Sequence, residues 1–480
     1  MNNTLKFATI ALFLCINTFE IVAQENHSIL AKKIDAYLNK GVSNGFNGAV
    51  LIERNGEVIL NKGYGKADKV KNISNTPNTI FDIGSNTKQF TGAAILKLAE
   101  LHKLKVTDSL HTFFNNLPDD KKNITIHQLL THTGGFQESL DGDFELISTQ
   151  DFFRNVFNSK LFQEPGTKFN YSNLGYSILA RIIEITSKMN YENFLQEFLF
   201  KPSGMNQTGY LLPEWNAENL ANGYNRNILD QGTTIERYKE DGQVSWNLKG
   251  NGGINSTSND LLLWKKAINS NKILPQELTE KWIQPYTLEI NHYYGYGWGI
   301  YNTADKIIYH NGGNGAFTHT IIWNMAKDYF IIYSSNSSSP KIENVAYEIE
   351  QALTNDSYVP KEIEKNPYFF VMSFIEQHNI NDSDKLLRLI IDKYSADFGT
   401  SEVLNRLGYI TMRSENNSEW AIKLFKFNTR LFENEANVWD SLGDGHLAIG
   451  NKEEAIINFK KAINLGSEET LKKLKKLQQN

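Results

Sequence analysis

Strand patterning appears in two widely separated parts of this chain, and the residues between them are patterned as helices and loops. Gly48-Ala49-Val50-Leu51-Ile52-Glu53-Arg54-Asn55-Gly56-Glu57-Val58-Ile59-Leu60 reads as two strands around an Asn55-Gly56 turn. Further strands are expected at Tyr296 to Tyr301, Lys306 to Tyr309, Thr318 to Trp323 and Tyr329 to Tyr333. Helical apolar spacing occurs at Ile29 to Leu38, over 86–102, through much of Ile124 to Ile273, and at Lys341 to Leu353. Such an order restricts the fold to an α+β class: an antiparallel sheet assembled from both ends of one domain, flanked by helices, with a helical subdomain inserted. A cleft forms readily at the seam of such an insertion.

The chain of 480 residues is 40% hydrophobic and 21% charged, which leaves room for two or three globular domains. A formal charge of -5 and a pI near 6.1 argue against a nucleic-acid partner, which would call for a basic patch. Lys6 followed by the apolar run Ala8 to Phe19 has the charge and length of a secretory signal, cleaved after Ala23, so residues 1–23 are expected to be removed and the protein to be periplasmic or secreted. The only cysteine, Cys15, lies in that segment, and no disulfide or cysteine-bound metal is expected in the mature protein. A lipid-attachment reading of Cys15 is the poorer one, because bulky Leu14 precedes it. The ten histidines form no zinc-hydrolase cluster, so neither a metal nor a cofactor is expected.

Domain limits follow from composition. Residues 24–354 form the sheet-bearing domain, 355–366 a polar linker containing Pro360, and 367–480 an all-helical region. In the last region Trp439, Leu442, Gly443, His446, Ala455, Phe459 and Ala462 match a tetratricopeptide-like (TPR-like) helix-turn-helix, with His446 at a usually aromatic place. Ala421 and Phe425 stand 34 residues before Ala455 and Phe459 and suggest a preceding copy. The alternative is a generic helical hairpin. A repeat of this kind would take a protein partner.

Chemistry concentrates at Phe81-Asp82-Ile83-Gly84-Ser85-Asn86-Thr87-Lys88, where a serine and a lysine three residues apart share one face at a helix start. A serine hydroxyl becomes nucleophilic when a neighbouring base takes its proton, and a desolvated amine is such a base. Ser-x-x-Lys recurs at Ser338 to Lys341, where Ser339-Pro340 reads as a helix cap. A lipase-like Gly41-x-Ser43-x-Gly45 also occurs, but it follows a helix and precedes a strand, the reverse of the order that motif needs, so Ser43 reads as turn chemistry.

Downstream come Ile124 to Phe136 with Thr131-His132-Thr133-Gly134-Gly135, then Glu164-Pro165-Gly166 leading to Tyr171-Ser172-Asn173, then Gly252-Gly253-Ile254-Asn255-Ser256-Thr257, Tyr296-Gly297-Trp298-Gly299 and His310-Asn311-Gly312-Gly313. This ordered set resembles the serine β-lactamase and penicillin-binding superfamily, in its class C branch, over roughly residues 28 to 353. The resemblance implies that Ser85 is the nucleophile and that Lys88 and Tyr171 share its activation. It also implies that Asn173 binds the substrate amide and the lysine, and that the N–H groups of Ser85 and Gly313 form an oxyanion hole. His310, Asn311, Gly312 and Gly313 would then border the substrate. Other Tyr-x-Asn patterns, at Tyr37, Tyr191 and Tyr309, lie in helical or strand patterning and read as packing aromatics. His132 reads as a structural residue of its turn.

β-Lactamases similar to this usually carry Lys-Thr-Gly where this chain has His310-Asn311-Gly312. An unperturbed histidine titrates near 6.5, so attraction for a substrate carboxylate would be weaker or pH-dependent. His-x-Gly here is similar to certain D-peptidases and esterases of the superfamily. The implied substrate is thus a β-lactam, a D-amino-acid cell-wall peptide or a small ester. A different reading is a catalytically weak peptide-binding protein whose tail recruits a partner.

Overall fold

A computed structural model describes residues 28–239, 243–302, 304–338, 344–413 and 417–479. The signal reading, Cys15 and the Ser339-Pro340 cap lie outside the described residues. The described residues divide into two compact units, one falling within 28–225 and 230–364 and the other within 226–229 and 365–479.

The first unit is built on an eight-stranded sheet. Its chain enters through helix α1 (28–42), then strands β1 (Gly48–Arg54) and β2 (Glu57–Tyr64), joined by a turn in which Asn55 and Gly56 both have positive φ, as a tight hairpin requires. The remaining strands come from the far end of the unit: β3 (Thr287–Glu289), β4 (His292–Tyr294), β5 (Gly299–Asn302), β6 (Ile307–Gly313), β7 (Thr318–Asn324) and β8 (Tyr329–Ser335). Their order across the sheet is β2-β1-β8-β7-β6-β5-β4-β3, with every pair antiparallel. β1 against β8, with Gly48 opposite Ser335 and Arg54 opposite Tyr329, closes the two ends of the sequence into one sheet.

Side-chain alternation sorts the core into two layers. Val50, Ile52, Ile322, Ile331 and Tyr333 face α1 and the helix α4 (Val345–Thr354). Leu51, Ile308, Ile321, Trp323, Phe330 and Ile332 face the inserted helical block, whose central members are α2 (Thr87–Glu100) and α3 (Asn173–Ser187). α2 is enclosed over most of its length, from Thr87 to Leu96 and at Leu98. A ring such as Phe90, fully buried there, contributes about 2–3 kcal/mol of transfer free energy.

Two expectations need correction: the strand expected at Tyr296 to Tyr301 begins only at Gly299 and runs to Asn302. The strand expected to end at Tyr309 continues to Gly313, so the His310-to-Gly313 motif lies within the ladder itself. The hairpin β3–β4 carries little strand signal, being short and polar, with exposed Ile290 at its turn in a left-handed conformation.

The second unit is helical, with helices at Pro367–Gln377, Ser383–Tyr394, Ser401–Arg413, Ser418–Leu431, Ala436–Ala448, Lys452–Asn464 and Glu468–Gln479. Asn366 caps the first through the N–H groups of Tyr368 and Phe369, with Pro367 at the first helical position. Two helix pairs repeat one contact: a Cβ on Gly408 would fall 2.4 Å from the Phe425 ring, and one on Gly443 would fall 2.4 Å from the Phe459 ring. Both glycines let neighbouring helices approach closely. His446 is buried among these helices.

Candidate active site

Ser85 sits in a 3-10 turn, Gly84–Asn86, that runs directly into α2, so Lys88 follows one turn later on the same face. Lys88 is fully buried. Its Nζ lies 3.1 Å from Ser85 Oγ, 2.8 Å from Asn173 Oδ1 and 2.7 Å from the Asn251 carbonyl oxygen. Two of these partners can only accept. An ammonium would donate to all three, whereas a neutral amine donates to the two carbonyl oxygens and can turn its lone pair to the Ser85 hydroxyl proton. Burial holds the Lys88 amine well below its ordinary pKa, despite the opposing fields of Asp143 and Glu138. Desolvation therefore favours the unprotonated amine, the form that can act as a base.

Tyr171 is hydrogen-bonded with Ser85, and burial raises its phenol above the ordinary range, so it rests as the neutral acid. Lys88 Nζ stands over the Tyr171 ring at 4.7 Å. The loop carrying Tyr171 is held by His132, whose Nδ1 accepts the Ser172 N–H at 3.0 Å and whose ring lies 4.3 Å from that of Tyr171. Burial holds the His132 pKa well below its ordinary value and keeps the ring neutral. Ser172 caps α3 by accepting the Gly175 N–H, which puts Asn173 at the helix start with its side chain on Lys88.

Strand β6 closes the opposite side. A Cβ on Gly312 would lie 2.1 Å from the Ile83 carbonyl oxygen and 2.9 Å from Ser85 N. One on Gly84, whose φ is +51, would lie 2.5 Å from Gly313 N. Only with glycine at both positions do the turn and the strand touch through their backbones, and this contact brings the Ser85 and Gly313 nitrogens together. Ser85 itself remains partly accessible.

The other two residues of that motif behave differently. His310 shares the face of Ile308 and Gly312, where its Nδ1–H donates to the Asn311 carbonyl at 2.7 Å and its Nε2 accepts from the Tyr294 hydroxyl at 2.9 Å. Burial lowers its pKa to about 3. The expected titration near neutrality is therefore replaced by a neutral ring across the physiological range. Asn311 alternates to the other face of the sheet, and its amide pairs with the Tyr347 hydroxyl of α4 at 3.0 Å. Its side chain is thus turned away from Ser85, unlike the substrate-facing role assigned to it from the motif.

Of the competing motifs, Ser43 donates to the Lys40 carbonyl in an exposed turn, and Tyr191 is buried against Thr91. Asn251, Tyr294 and Asp82 enter the site without a sequence signal of their own; they adjoin or sit inside segments that were singled out for other residues. A cleft of 920 Å³ borders the Tyr171 side, between residues 166–171 and the β3–β4 hairpin. A second, of 670 Å³, borders the Gly313 side at Asn314, with Asp143 and Arg237 in its wall. Among the described residues, no group of acidic, histidine or cysteine side chains could hold a metal ion.

Comparison with known proteins fits this geometry. Protein PbpX of Bacillus subtilis, a putative penicillin-binding protein, is 29% identical over 325 residues, covering 68% of this chain and 79% of that protein. Protein flp of Staphylococcus aureus is 29% identical over 339 residues, covering 68% of this chain and 66% of that protein. An octameric penicillin-binding protein homologue from Pyrococcus abyssi shares 25% identity and a TM-score of 0.58, covering 72% of this chain and 81% of the homologue. A class C beta-lactamase shares the fold, with a TM-score of 0.60 at 21% identity over 68% of this chain and 97% of its own. The Beta-lactamase family model matches residues 30–354, and the chain belongs to that family of serine β-lactamase and penicillin-binding-like hydrolases.

Proposed function

We propose that this is an exported hydrolase that works through a Ser85 acyl-enzyme and prefers esters whose scissile bond has no carboxylate beside it. Ser85 Oγ attacks the carbonyl carbon as Lys88 takes the hydroxyl proton, and the Ser85 and Gly313 N–H groups receive the oxyanion. Tyr171 gives its proton to the departing oxygen or nitrogen and is reprotonated by Lys88. Water then attacks the acyl carbon, with the same pair accepting its proton. The observation that carries this reading is the Lys88 amine, fully buried and bonded to two carbonyl oxygens and the Ser85 hydroxyl.

Substrate preference rests on His310. β-Lactams and D-Ala-D-Ala peptides place a carboxylate next to the bond that breaks, and a neutral imidazole with both nitrogens already bonded offers it no charge where a lysine would offer a full one. A p-nitrophenyl ester, a D-Ala-D-Ala peptide and nitrocefin, compared on one purified sample, should rank with the ester highest in kcat/KM. A higher value for nitrocefin or the peptide would overturn the ester preference. Absence of both turnover and covalent labelling in folded protein would favour the peptide-binding alternative. We assign the C-terminal helices a TPR-like role in binding a protein partner, supported by the recurring Gly408–Phe425 and Gly443–Phe459 contacts.

A further inference from the structure

Asp82 is a buried carboxylate that the chemistry above leaves unused, at 1% exposure in the short strand Phe81–Asp82. Its Oδ1 accepts the Gly84 N–H at 2.7 Å. Its Oδ2 accepts the Asn314 side-chain amide at 2.6 Å and the Thr234 hydroxyl at 3.2 Å. Gly84 immediately precedes Ser85, and Asn314 immediately follows Gly313. A single carboxylate thus holds the chain neighbours of both oxyanion donors. Asn314 cannot turn its amide away cheaply, because its Oδ1 accepts the N–H groups of Ala316 at 3.2 Å and Phe317 at 3.0 Å. Among the described residues no cation pairs with Asp82 within 4 Å, so its charge is met by these N–H and O–H donors.

We propose that Asp82 is a positioning residue for acyl transfer: it ties the Gly84–Ser85 turn to the Gly313–Asn314 strand end and so sets the separation of the two oxyanion donors. The inference rests on the reading of Ser85 as nucleophile. It also explains why a costly buried charge persists beside a turn that hydrogen bonds to a neutral side chain could have closed.

The clamp responds to pH. Burial raises the Asp82 carboxyl to about 6. The charged groups facing it are Asp143, which pushes it upward, and Arg237, which pulls it down. The phenols of Tyr210 and Tyr238 also face it, and burial keeps both protonated. Above about pH 6 the carboxylate accepts from all its partners. Below it, the proton can point to the Thr234 hydroxyl, but the Gly84 and Asn314 donors then meet a neutral carboxyl, a weaker acceptor than the carboxylate, and the clamp loosens.

The test compares wild type with D82N and with the reciprocal double variant D82N/N314D. In D82N one oxygen still accepts from Gly84, but an amide N–H now meets the Asn314 amide, donor against donor. The double variant restores donor to acceptor across the same gap. With a p-nitrophenyl ester, D82N should lower kcat about ten- to a hundredfold with KM within about threefold, because a misplaced hole weakens transition-state binding. The double variant should recover most of kcat. Wild type should lose kcat as pH falls through about 6, and D82N should lose that limb of the profile. An unchanged kcat in D82N overturns the proposal. So does a double variant that recovers the melting temperature but not kcat, since that is the outcome of a merely structural role. A folded wild type that neither turns over nor acylates overturns the reading of Ser85, and this inference with it.

Discussion

Replacing Lys88 by methionine separates its chemical role from its structural one. Methionine has a similar length and fills the same buried space. Three hydrogen bonds are lost, and the Asn173 amide oxygen and Asn251 carbonyl are left without this donor in a closed site. Each buried acceptor left unsatisfied costs about 1–3 kcal/mol. Against this, the variant no longer buries an amine, which is unfavourable enough to hold the Lys88 pKa well below its ordinary value. Net destabilisation should be about 2 kcal/mol, and the domain should remain folded. Acylation should fall about 100- to 10,000-fold, the usual contribution of a positioned general base. Single-turnover labelling by a fluorophosphonate, followed by intact mass, gives the rate, and urea unfolding gives the stability. A folded Lys88→Met protein that acylates within about tenfold of wild type would refute the assignment of the base.

Acid should destabilise the fold through its buried imidazoles. His310 and His319 both have pKa values lowered to about 3 by burial, against 6.5 in the unfolded chain. The unfolded state therefore binds protons first, so stability is full above about pH 6.5 and is lost as pH falls. At pH 5 each costs about 2 kcal/mol, while Asp82, whose carboxyl is raised to about 6 from 3.8, works in the opposite direction by about 1 kcal/mol. His132 adds to the loss, and the burial-raised Asp143, Glu192 and Asp260 carboxyls offset part of it; urea midpoints should fall between pH 7 and pH 5, and equal or greater stability at pH 5 would contradict the burial of these rings. Substituting His310→Lys should shift preference toward carboxylate-bearing substrates by about tenfold or more in relative kcat/KM, and no shift would mean that position 310 does not face the substrate carboxylate.

The sequence made the sheet legible where apolar alternation was strong, as in Ala49 to Ile52 and Tyr329 to Tyr333, and the Asn55-Gly56 turn fixed its first hairpin. It was weaker where glycine interrupts a strand, because Gly312 and Gly313 have low strand propensity and sit in the ladder for their lack of a side chain. Tyr171 was singled out among four Tyr-x-Asn patterns by its position after an extended loop, and in the structure it is the one bonded with Ser85. The state of His310 could not be read locally. It depends on burial within the sheet and on Tyr294, contributed by a short polar hairpin, both properties of the assembled fold. Asp82 was equally hidden: its partners Thr234 and Asn314 lie far along the chain.

The central claim is that Ser85 carries the acyl group. Incubating the folded protein with an activated ester or a fluorescent penicillin, quenching, and mapping the added mass by peptide digestion tests it most directly. The account predicts one adduct per chain, on the peptide containing Ser85, and none in a Ser85→Ala protein that melts at the wild-type temperature. An adduct on another residue, or a folded wild type that never acquires one, would contradict it.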